Sequence, residues 1–228
     1  NNQSEATLTP IAKNQEFYPK FNSVAGVTHI QAVATKAGII RTEKAFEGIV
    51  NVSHKNNVDL IVMGSHGASG FQEMFIGSNT EKVVRSSDVP VLVIKEEDAN
   101  FSVKKFVFAS DFTEEIKSSF SKVVDFANNF KAHLNLVMIN TPNNFKSTEV
   151  AKKIMADFIG SFNVSDYTTH IYNETNVEKG VLNFAKSIDA DLIGMSTHGR
   201  KGISHFFNGS ISEDLVNHAK RPVVTFKI

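Results

Sequence analysis

The stretch DLIGMSTHGRKGISHFFNGS, residues 191–210, indicates how the chain is organised. It opens with an apolar run at 192–195, which is typical of a short buried strand in a parallel sheet. A loop with three glycines follows, and a helical pattern, ISEDLVNHAK, begins at Ile211. Such a loop can hold phosphate, because glycine lets backbone N–H groups approach an anion and a helix N-terminus carries a partial positive charge. An ordinary turn between a strand and a helix is the alternative.

The same pattern occurs a second time in the chain. Residues 59–78 read DLIVMGSHGASGFQEMFIGS, 132 positions (191 − 59) earlier. At this single offset the coinciding pairs are Asp59/Asp191, Met63/Met195, His66/His198, Gly67/Gly199, Gly70/Gly202, Gly77/Gly209, Ser78/Ser210 and Pro90/Pro222. Packing alone would not keep glycine, histidine and serine at fixed spacing in a surface loop. The repeat therefore indicates a fold that was duplicated together with its site.

The composition of the 228 residues narrows the class of protein. Lys plus Arg and Asp plus Glu balance at 24 each, so neither a nucleic-acid surface nor a polybasic membrane patch is indicated. The absence of cysteine excludes disulfides, thiolate chemistry and cysteine-ligated zinc. No apolar run of about 18 residues occurs, and the first residues lack the apolar segment of a signal peptide. We therefore expect a soluble, cytoplasmic protein.

The second half of the chain, residues 98–228, contains a complete alternating series of strands and helices. Strands are predicted at 105–110, 134–139, 168–172, 192–195 and 223–226, and helices at 113–127, 148–162, 177–188 and 211–220. In the helix at 148–162, Val150, Ile154 and Phe158 form the expected buried stripe. Alternation of this kind predicts a parallel sheet with helices on both faces.

The first half, residues 1–97, is shorter than the repeat requires. A strand is predicted from Thr28, followed by helices at 46–57 and 78–87 and strands at 60–63 and 91–94. A short helix at 11–17 and a segment without fixed structure are both compatible with the polar residues before Thr28. Moving the first strand of the second half back by 132 positions places it before residue 1. We therefore expect a first unit that lacks its N-terminal part.

Both loops fit the spacing G-x2-G-x9-G-[ST], except that the second begins with serine. The positions are Gly64, Gly67, Gly77 and Ser78 in the first unit and Ser196, Gly199, Gly209 and Ser210 in the second. This spacing after an apolar strand resembles the nucleotide-binding class of the universal stress protein family. The stretch FVFASDFT, residues 106–113, is similar to the opening strand of the same family. The resemblance extends from about residue 28 to residue 228.

The resemblance implies two tandem flavodoxin-like units, of the kind also seen in adenine nucleotide alpha hydrolases, each an α/β fold with a parallel five-stranded sheet in the order 3-2-1-4-5. It also implies an adenine nucleotide (ATP, ADP or AMP) as ligand, with or without Mg²⁺. In such a sheet the first and fourth strands flank a crevice at their carboxyl ends. The residues alone point to the same place, because Asp111 follows the first predicted strand and the glycine loop follows the fourth.

By resemblance, Asp111 lies near the ribose or adenine, and Val137 offers backbone groups to the adenine. Met195 and Gly199 line the path of the ribose and phosphates. The nucleotide-binding residues expected in the second unit are Asp111, Val137, Met195, Ser196, His198, Gly199, Arg200, Gly209, Ser210, Ile211 and Ser212. Those of a second site in the first unit are Met63, Gly64, His66, Gly67, Gly77, Ser78 and Thr80.

Each unit departs from the family pattern in one respect. Ser196 places a Cβ where the motif has glycine, which crowds the ligand if the backbone must approach it closely. The first unit keeps its glycines but has no counterpart of Asp111. We prefer the second unit as the site, since Arg200 and Lys201 add positive charge to its loop.

No catalytic or metal-binding group accompanies the loops. His66 and His198 lack a partner at the spacing of a catalytic triad, and Ser78 and Ser210 are explained more simply as helix N-caps. We therefore expect binding without turnover, apart from incidental slow ATP hydrolysis. The alternative is an interaction scaffold of the same fold that binds no nucleotide. An adenylating or pyrophosphatase enzyme is a third option, but SDFT stands where its Ser-Gly-Gly phosphate loop is expected.

The last strand of each unit, 91–94 and 223–226, is short, apolar and terminal. We expect these two strands to pair within the chain, since each would otherwise be an exposed edge. A homodimer is the other assembly that this edge allows. Neither a nucleic acid nor a membrane is an expected partner.

Overall fold

The computed structural model describes residues 4–8, 11–12, 33–34, 38–42, 45–65, 77–95, 101–197 and 209–228. Up to residue 42, and at 209–213, the description covers the backbone alone. The chain divides into two compact units, Asn1–Ser102 and Val103–Ile228. Each unit is described by itself below, and the pairing of their last strands stays a prediction.

The first unit contains six strands and two helices among its described residues. The strands are β1 Ser4–Leu8, β2 Ile11–Ala12, β3 Val33–Ala34, β4 Gly38–Thr42, β5 Ile61–Gly64 and β6 Val91–Ile94, and the helices are α1 Ala45–Lys55 and α2 Ser78–Ser86. Strands β5 and β6 pair in parallel, with Ile61 opposite Val91. The strands and helices predicted from residue 46 onward in this unit are therefore confirmed in type.

The N-terminal strands differ from the sequence prediction. β1 pairs with β4 and β2 pairs with β3, both in antiparallel fashion. Of the two alternatives for residues 11–17, a short helix or no fixed structure, neither holds at Ile11–Ala12, which form a strand, and the rest of that segment lies outside the described residues. Of the strand predicted from Thr28, the described part is Val33–Ala34 alone. These pairings join residues that are between 21 (Ala12 and Val33) and 38 (Ser4 and Thr42) positions apart, and a local pattern contains no information about such partners.

The second unit contains the five strands and four helices that its pattern predicts. The strands are β7 Lys105–Ala109, β8 His133–Asn140, β9 Tyr167–Asn173, β10 Leu192–Thr197 and β11 Val223–Lys227. The helices are α3 Lys117–Phe130, α4 Thr148–Ile159, α5 Val177–Ser187 and α6 Gly209–His218, and short 3₁₀ turns lie at Glu114–Ile116 and Pro142–Asn144.

The five strands form a parallel sheet in the order β9-β8-β7-β10-β11, which confirms the 3-2-1-4-5 arrangement. Right-handed crossovers in this order place α3 and α4 on one face and α5 and α6 on the other, because the direction of strand addition reverses after β9. Phe120 of α3 contacts Phe158 of α4, with ring centroids 4.9 Å apart. On the opposite face, His218 of α6 and Glu178 of α5 are joined by an Nδ1–Oε1 contact of 2.6 Å.

Phenylalanines form the core on the α3 face of the sheet. The ring of Phe126 lies 5.6 Å from that of Phe106 and 5.9 Å from that of Phe226. Phe106, Phe108, Phe120 and Phe226 are fully buried. Such tilted and edge-to-face pairs are the favoured arrangements of aromatic rings, and each adds about 0.5–1.5 kcal/mol to its burial.

The predicted buried stripe of α4 is wrong at its first position. Val150 is 50% exposed, whereas Ala151, Met155 and Phe158 are buried. Both sets of positions satisfy helical spacing, so the sequence pattern permits either face. The sheet determines which one is covered.

No helix among the described residues is long and apolar enough to cross a membrane.

Gly194 of β10 provides a test of this packing. A Cβ at this position would lie 2.5 Å from Cε2 of Phe106 and 3.3 Å from Cγ1 of Val224. We expect Gly194→Ala to lower the free energy of unfolding by about 1–3 kcal/mol, the usual cost of overpacking a core. Urea denaturation measures this loss.

Gly160 is the matched control, because it lies at the exposed end of α4 with an ordinary φ of −57°. Its added Cβ would meet only backbone oxygens, the nearest being that of Ala156 at 3.2 Å. Gly160→Ala should change the stability by less than about 1 kcal/mol. Equal losses in the two variants would contradict the close packing at Gly194.

Candidate functional site

The crevice of the second unit opens where β7 and β10 lie side by side at their carboxyl ends. The strands are parallel, with Ala109 of β7 opposite Met195 of β10. The chain after Ala109, which includes Asp111, and the chain after β10 therefore leave the sheet at the same edge. This is the switch point at which open α/β sheets bind ligands.

Backbone conformation fixes the position of Asp111. The N–H of Ser110 donates to the carbonyl of Val137 (3.1 Å), and the N–H of Phe112 donates to Oγ of Ser110 (2.9 Å). Phe112 has a φ of 56°, in the left-handed region, which costs a residue with a Cβ about 1–2 kcal/mol. Its buried ring packs edge-on against Phe158, with centroids 5.4 Å apart, and this contact offsets the strain. Asp111 is left half-buried at the crevice, where it accepts a hydrogen bond from Oγ1 of Thr113 (3.4 Å).

A small cavity lies beside Asp111 at the carboxyl ends of β7 and β8. It has room for about one water molecule. The lining residues are Ala109, Ser110, Asp111, Met138, Ile139, Asn144, Lys146 and Val177. Of these, sequence reasoning named Asp111 and missed the rest. Those from β8 and the start of α5 could have been found by asking which residues end each strand or begin each helix.

Val137 lies deeper in β8 than the expected adenine contact requires. It is fully buried, its carbonyl accepts the N–H of Ser110, and the strand continues for three more residues. Met138 and Ile139, rather than Val137, line the cavity. A contact between Val137 and the adenine therefore stays a prediction.

Ser196 is buried, and its hydroxyl makes a hydrogen bond in the interior of the protein. It is 2% exposed, and its Oγ lies 3.3 Å from Oγ of Ser119 in the first turn of α3. The hydroxyl of Ser119 donates its one hydrogen bond to the carbonyl of Ile116 (3.1 Å). Ser196 is therefore the donor in its bond with Ser119. The two hydroxyls thus link the end of β10 to the start of α3. Met195, the preceding residue, is also fully buried.

The two glycine-rich loops lie outside the described residues. The predicted residues that fall there are His66 and Gly67 in the first unit and His198, Gly199, Arg200 and Lys201 in the second. Of the expected phosphate-binding residues, Gly209 begins α6 and Ser210, Ile211 and Ser212 continue its first turn. The first N–H groups of a helix have no partner within it, so this turn presents donors.

In the first unit, two hydrogen bonds join the end of β5 to the start of α2. Oγ1 of the buried Thr80 donates to the carbonyl of Gly64 (3.1 Å), and the N–H of Gly77 donates to the carbonyl of Ser65 (2.8 Å). Gly77 occupies the N-cap position, so the prediction of Ser78 as N-cap is wrong.

Two other predicted residues of the first unit, Met63 and Gly64, lie in β5, half-buried and exposed respectively. At the end of the neighbouring β6, burial lowers the pKa of Lys95. No group of three or more metal-ligating side chains occurs among the described residues of either unit.

A family model supplies the classification of this fold. The model described as the universal stress protein family matches residues 22–95 and 164–227. The chain belongs to the universal stress protein family. This result confirms the resemblance that the repeated loops indicated, and the matched residues include part of each unit.

Individual relatives are similar over shorter stretches. A universal stress protein of Methanocaldococcus jannaschii is 43% identical over 53 residues, which is 23% of this chain and 33% of that protein. One from Synechocystis is 33% identical over 78 residues, 32% of this chain and 27% of that protein. The chain thus spans a third or less of these curated relatives. The crystal structure of a universal stress protein from Archaeoglobus fulgidus matches 80% of this chain and 66% of its own, with a TM-score of 0.61 and 24% identity, and this likeness concerns the fold.

The hydroxyl pair at Ser119 and Ser196 can be tested by a double-mutant cycle. We expect Ser119→Ala and Ser196→Ala to be coupled by about 0.5–1.5 kcal/mol in the free energy of unfolding, the usual net value of a buried hydrogen bond. Urea denaturation of the wild type, both single variants and the double variant gives this coupling. A coupling near zero would show that the hydroxyls do not interact.

Proposed function

We propose that this universal stress protein binds an adenine nucleotide at the crevice of its second unit and acts by binding rather than turnover. The observation that supports the proposal is the register of β7 and β10, which brings Asp111 and the carboxyl end of β10, where the glycine loop begins, to the same edge. The motif spacing and the family membership support the same site. No general base or water-positioning residue is indicated by the sequence.

In the proposed complex, each element has a separate task. The carboxylate of Asp111 accepts hydrogen bonds from the ribose hydroxyls. Met138 and Ile139 provide the apolar contact for the base. The first turn of α6 presents N–H groups and the hydroxyls of Ser210 and Ser212 to the phosphates, as helix N-termini do for anions.

The cavity beside Asp111 is smaller than a base, so the base enters only if lining side chains move. Asn144 and Lys146 lie on the short segment after β8, and the Lys146 ammonium donates to Oδ1 of Asn144 (3.2 Å). We expect these two side chains to turn outward when a nucleotide binds. Side-chain changes of this kind are common on binding, while the backbone moves little.

The repeat supplies a matched pair of variants for testing the site. We expect Gly209→Val to abolish the binding of ATP, ADP and AMP, because a branched side chain occupies the space that the phosphates need. Gly77→Val, the same change at the equivalent position of the first unit, should leave binding unchanged. Isothermal titration calorimetry with and without Mg²⁺ measures both, and circular dichroism checks the fold. If Gly77→Val alone abolished binding, the site would lie in the first unit.

The charge of the loop provides a second test. Arg200→Ala should weaken ATP binding more than AMP binding, because the ligand with more charge gains more from the guanidinium. The loss should be about 1 kcal/mol or less, as for solvated ion pairs. Equal losses for ATP and AMP in calorimetric titrations would argue against a phosphate contact.

A scaffold that binds no nucleotide is the second candidate, and Ser196 in place of the motif glycine favours it. Because the hydroxyl of Ser196 is bonded to Ser119 in the interior, we expect Ser196→Gly to leave the affinity within about twofold. A large gain in affinity would show that the serine crowds the ligand. If neither wild type nor Ser196→Gly bound nucleotide at about millimolar concentration, the scaffold function would replace our proposal.

A further inference from the structure

A groove of about 420 Å³ lies on the α4 face of the second unit, beside strand β9. The side chains of Thr169 and Ile171 form its wall on the strand, and Met155 of α4 forms its floor. Phe145 and Lys146, from the segment between β8 and α4, lie at its end. Lys146 also lines the cavity beside Asp111, and the other residues of the groove do not.

Strand β9 is the edge of the sheet in this unit, since it pairs with β8 on one side and ends the strand order on the other. The N–H of Leu134 donates to the carbonyl of Asp166, and the N–H of Glu174 donates to that of Asn140. In a parallel pair of strands, every second residue of each strand forms the hydrogen bonds to the other strand. The two bonds at the ends of β9 involve residues 166 and 174, so the even-numbered residues of β9 bond to β8. The odd-numbered residues therefore direct their N–H and C=O groups outward.

The same odd-numbered residues also turn their side chains toward the groove. Thr169, Ile171 and Asn173 line it, and Tyr167, at the start of the row, is 39% exposed. Edge strands are usually blunted by charge, proline or brevity. β9 has seven residues, YTTHIYN, without proline, lysine or a carboxylate. Among the residues that the structure describes, β9 is thus an unpaired backbone edge with a row of uncharged side chains beside a groove.

Phe145 provides an exposed apolar contact at the end of the groove. It is 72% exposed, more than any other large apolar residue that the structure describes. The next residue is clamped from both sides, because the amide of Asn140 donates to the carbonyl of Lys146 (2.9 Å) and accepts its N–H (2.8 Å). The exposed ring of Phe145 is therefore carried by a segment whose backbone is held in place, beside the groove that it lines.

The charge of the groove indicates which kind of peptide it binds. Lys146 and Lys152 line it, and no carboxylate does. Glu149 lies on the exposed surface of α4 and is not part of the lining. Lys152 makes no ion pair among the residues that the structure describes. An acidic occupant would pair with the ammonium group of Lys152 and approach that of Lys146, which also donates to Oδ1 of Asn144 (3.2 Å).

We propose that β9 and this groove bind an extended acidic peptide segment of a partner protein by strand addition. The backbone of the peptide pairs with the outward N–H and C=O groups of Tyr167, Thr169, Ile171 and Asn173. Its alternate side chains enter the groove, an apolar one against Phe145 and Ile171 and acidic ones against the two lysines. Apart from Lys146, which also lines the cavity beside Asp111, this interaction uses residues outside the proposed nucleotide site.

A second copy of the chain fits the groove less well than an acidic peptide. Its own β9 would bring no carboxylate to the lysines. The acidic residues that flank β9 are already bonded: Asp166 contacts Nδ1 of His133 at 2.5 Å, and Glu174 accepts hydrogen bonds from Thr175 and Asn183. Self-pairing is therefore an outcome of the test and not the proposal.

The test uses the full chain and a fluorescein-labelled peptide of about nine residues that alternates Thr with Asp and Ile. Fluorescence anisotropy measures its affinity, and two peptide controls accompany it. One replaces Asp by Lys, and the other is N-methylated at alternate residues, which removes the donors needed for strand pairing. We expect the acidic peptide to bind and each control to bind at least about tenfold more weakly.

Paired variants of the protein test the site itself. Lys152→Glu should weaken binding at least about tenfold, whereas Lys153→Glu, on the exposed face of the same helix, should change it less than about twofold. Phe145→Ser should likewise weaken binding, and Val150→Ser, an equally apolar exposed residue outside the groove, should not. Thr169→Pro removes an outward donor and leaves the ladder to β8 intact, so it should abolish binding with an unchanged circular dichroism spectrum.

Three results would overturn the proposal. The first is no binding of the acidic peptide at about millimolar concentration. The second is binding that responds to Lys152→Glu but not to Thr169→Pro or Phe145→Ser, which would describe a site for small anions. The third is a dimer in sedimentation velocity that Thr169→Pro dissociates, which would assign the edge to a second copy. Loss of nucleotide binding in Gly209→Val would leave peptide binding unchanged, so the two proposals fail separately.

Discussion

The carboxylate of Asp191 holds the start of β7 against β10. Its Oδ2 accepts the N–H groups of Lys104 and Lys105, each at 2.8 Å, and its own N–H donates to the carbonyl of Lys105 (3.0 Å). Charge-assisted bonds to backbone N–H groups are among the stronger hydrogen bonds of a protein. They set the register of the two strands, and through it the place where Asp111 and the glycine loop leave the sheet. The crevice at one end of the strands thus depends on a side chain at the other end.

The two faces of the second unit are held by different chemistry. On the α3 face, phenylalanine rings from β7, α3 and β11 contact one another, and the chain from Ser196 through Ser119 to Ile116 is a polar link at their edge. On the α5 face, polar groups take a larger part. His170 contacts Phe184 and accepts or donates a hydrogen bond with Asn135 (3.1 Å), and burial lowers its pKa.

The parts of the fold that follow from local pattern were predictable from sequence. The apolar runs of β7 to β11 and the spacing of α3 and α5 predict their elements within a few residues. The order of the strands came from the resemblance to the family, because the local pattern indicates a parallel sheet without saying which strands are neighbours. The antiparallel pairing of β1 with β4 could not be predicted, because a strand's partner depends on residues far along the chain.

The candidate site divides in the same way. Asp111 could be anticipated, since it follows a strand whose carboxyl end faces the crevice. Ser196 was recognised as a departure from the motif, but its bond to Ser119 required the coordinates, because 77 residues separate the two. The need for glycine at position 194 could not be predicted, because it arises from the close approach of the Phe106 ring on the neighbouring strand. The positions of Phe145 and Lys146 could not be predicted either, because the hydrogen bonds between the Asn140 amide and the backbone of Lys146 are tertiary contacts.

The uncovered edge of β9 also bears on how the protein behaves at high concentration. A seven-residue strand with outward amide groups and no charged gatekeeper is a template for growth by identical chains, and such templates are the starting points of fibrils. The formal net charge of the chain is zero at pH 7, so colloidal repulsion between molecules is weak. A partner on β9 would therefore also reduce the tendency of identical chains to associate through this strand.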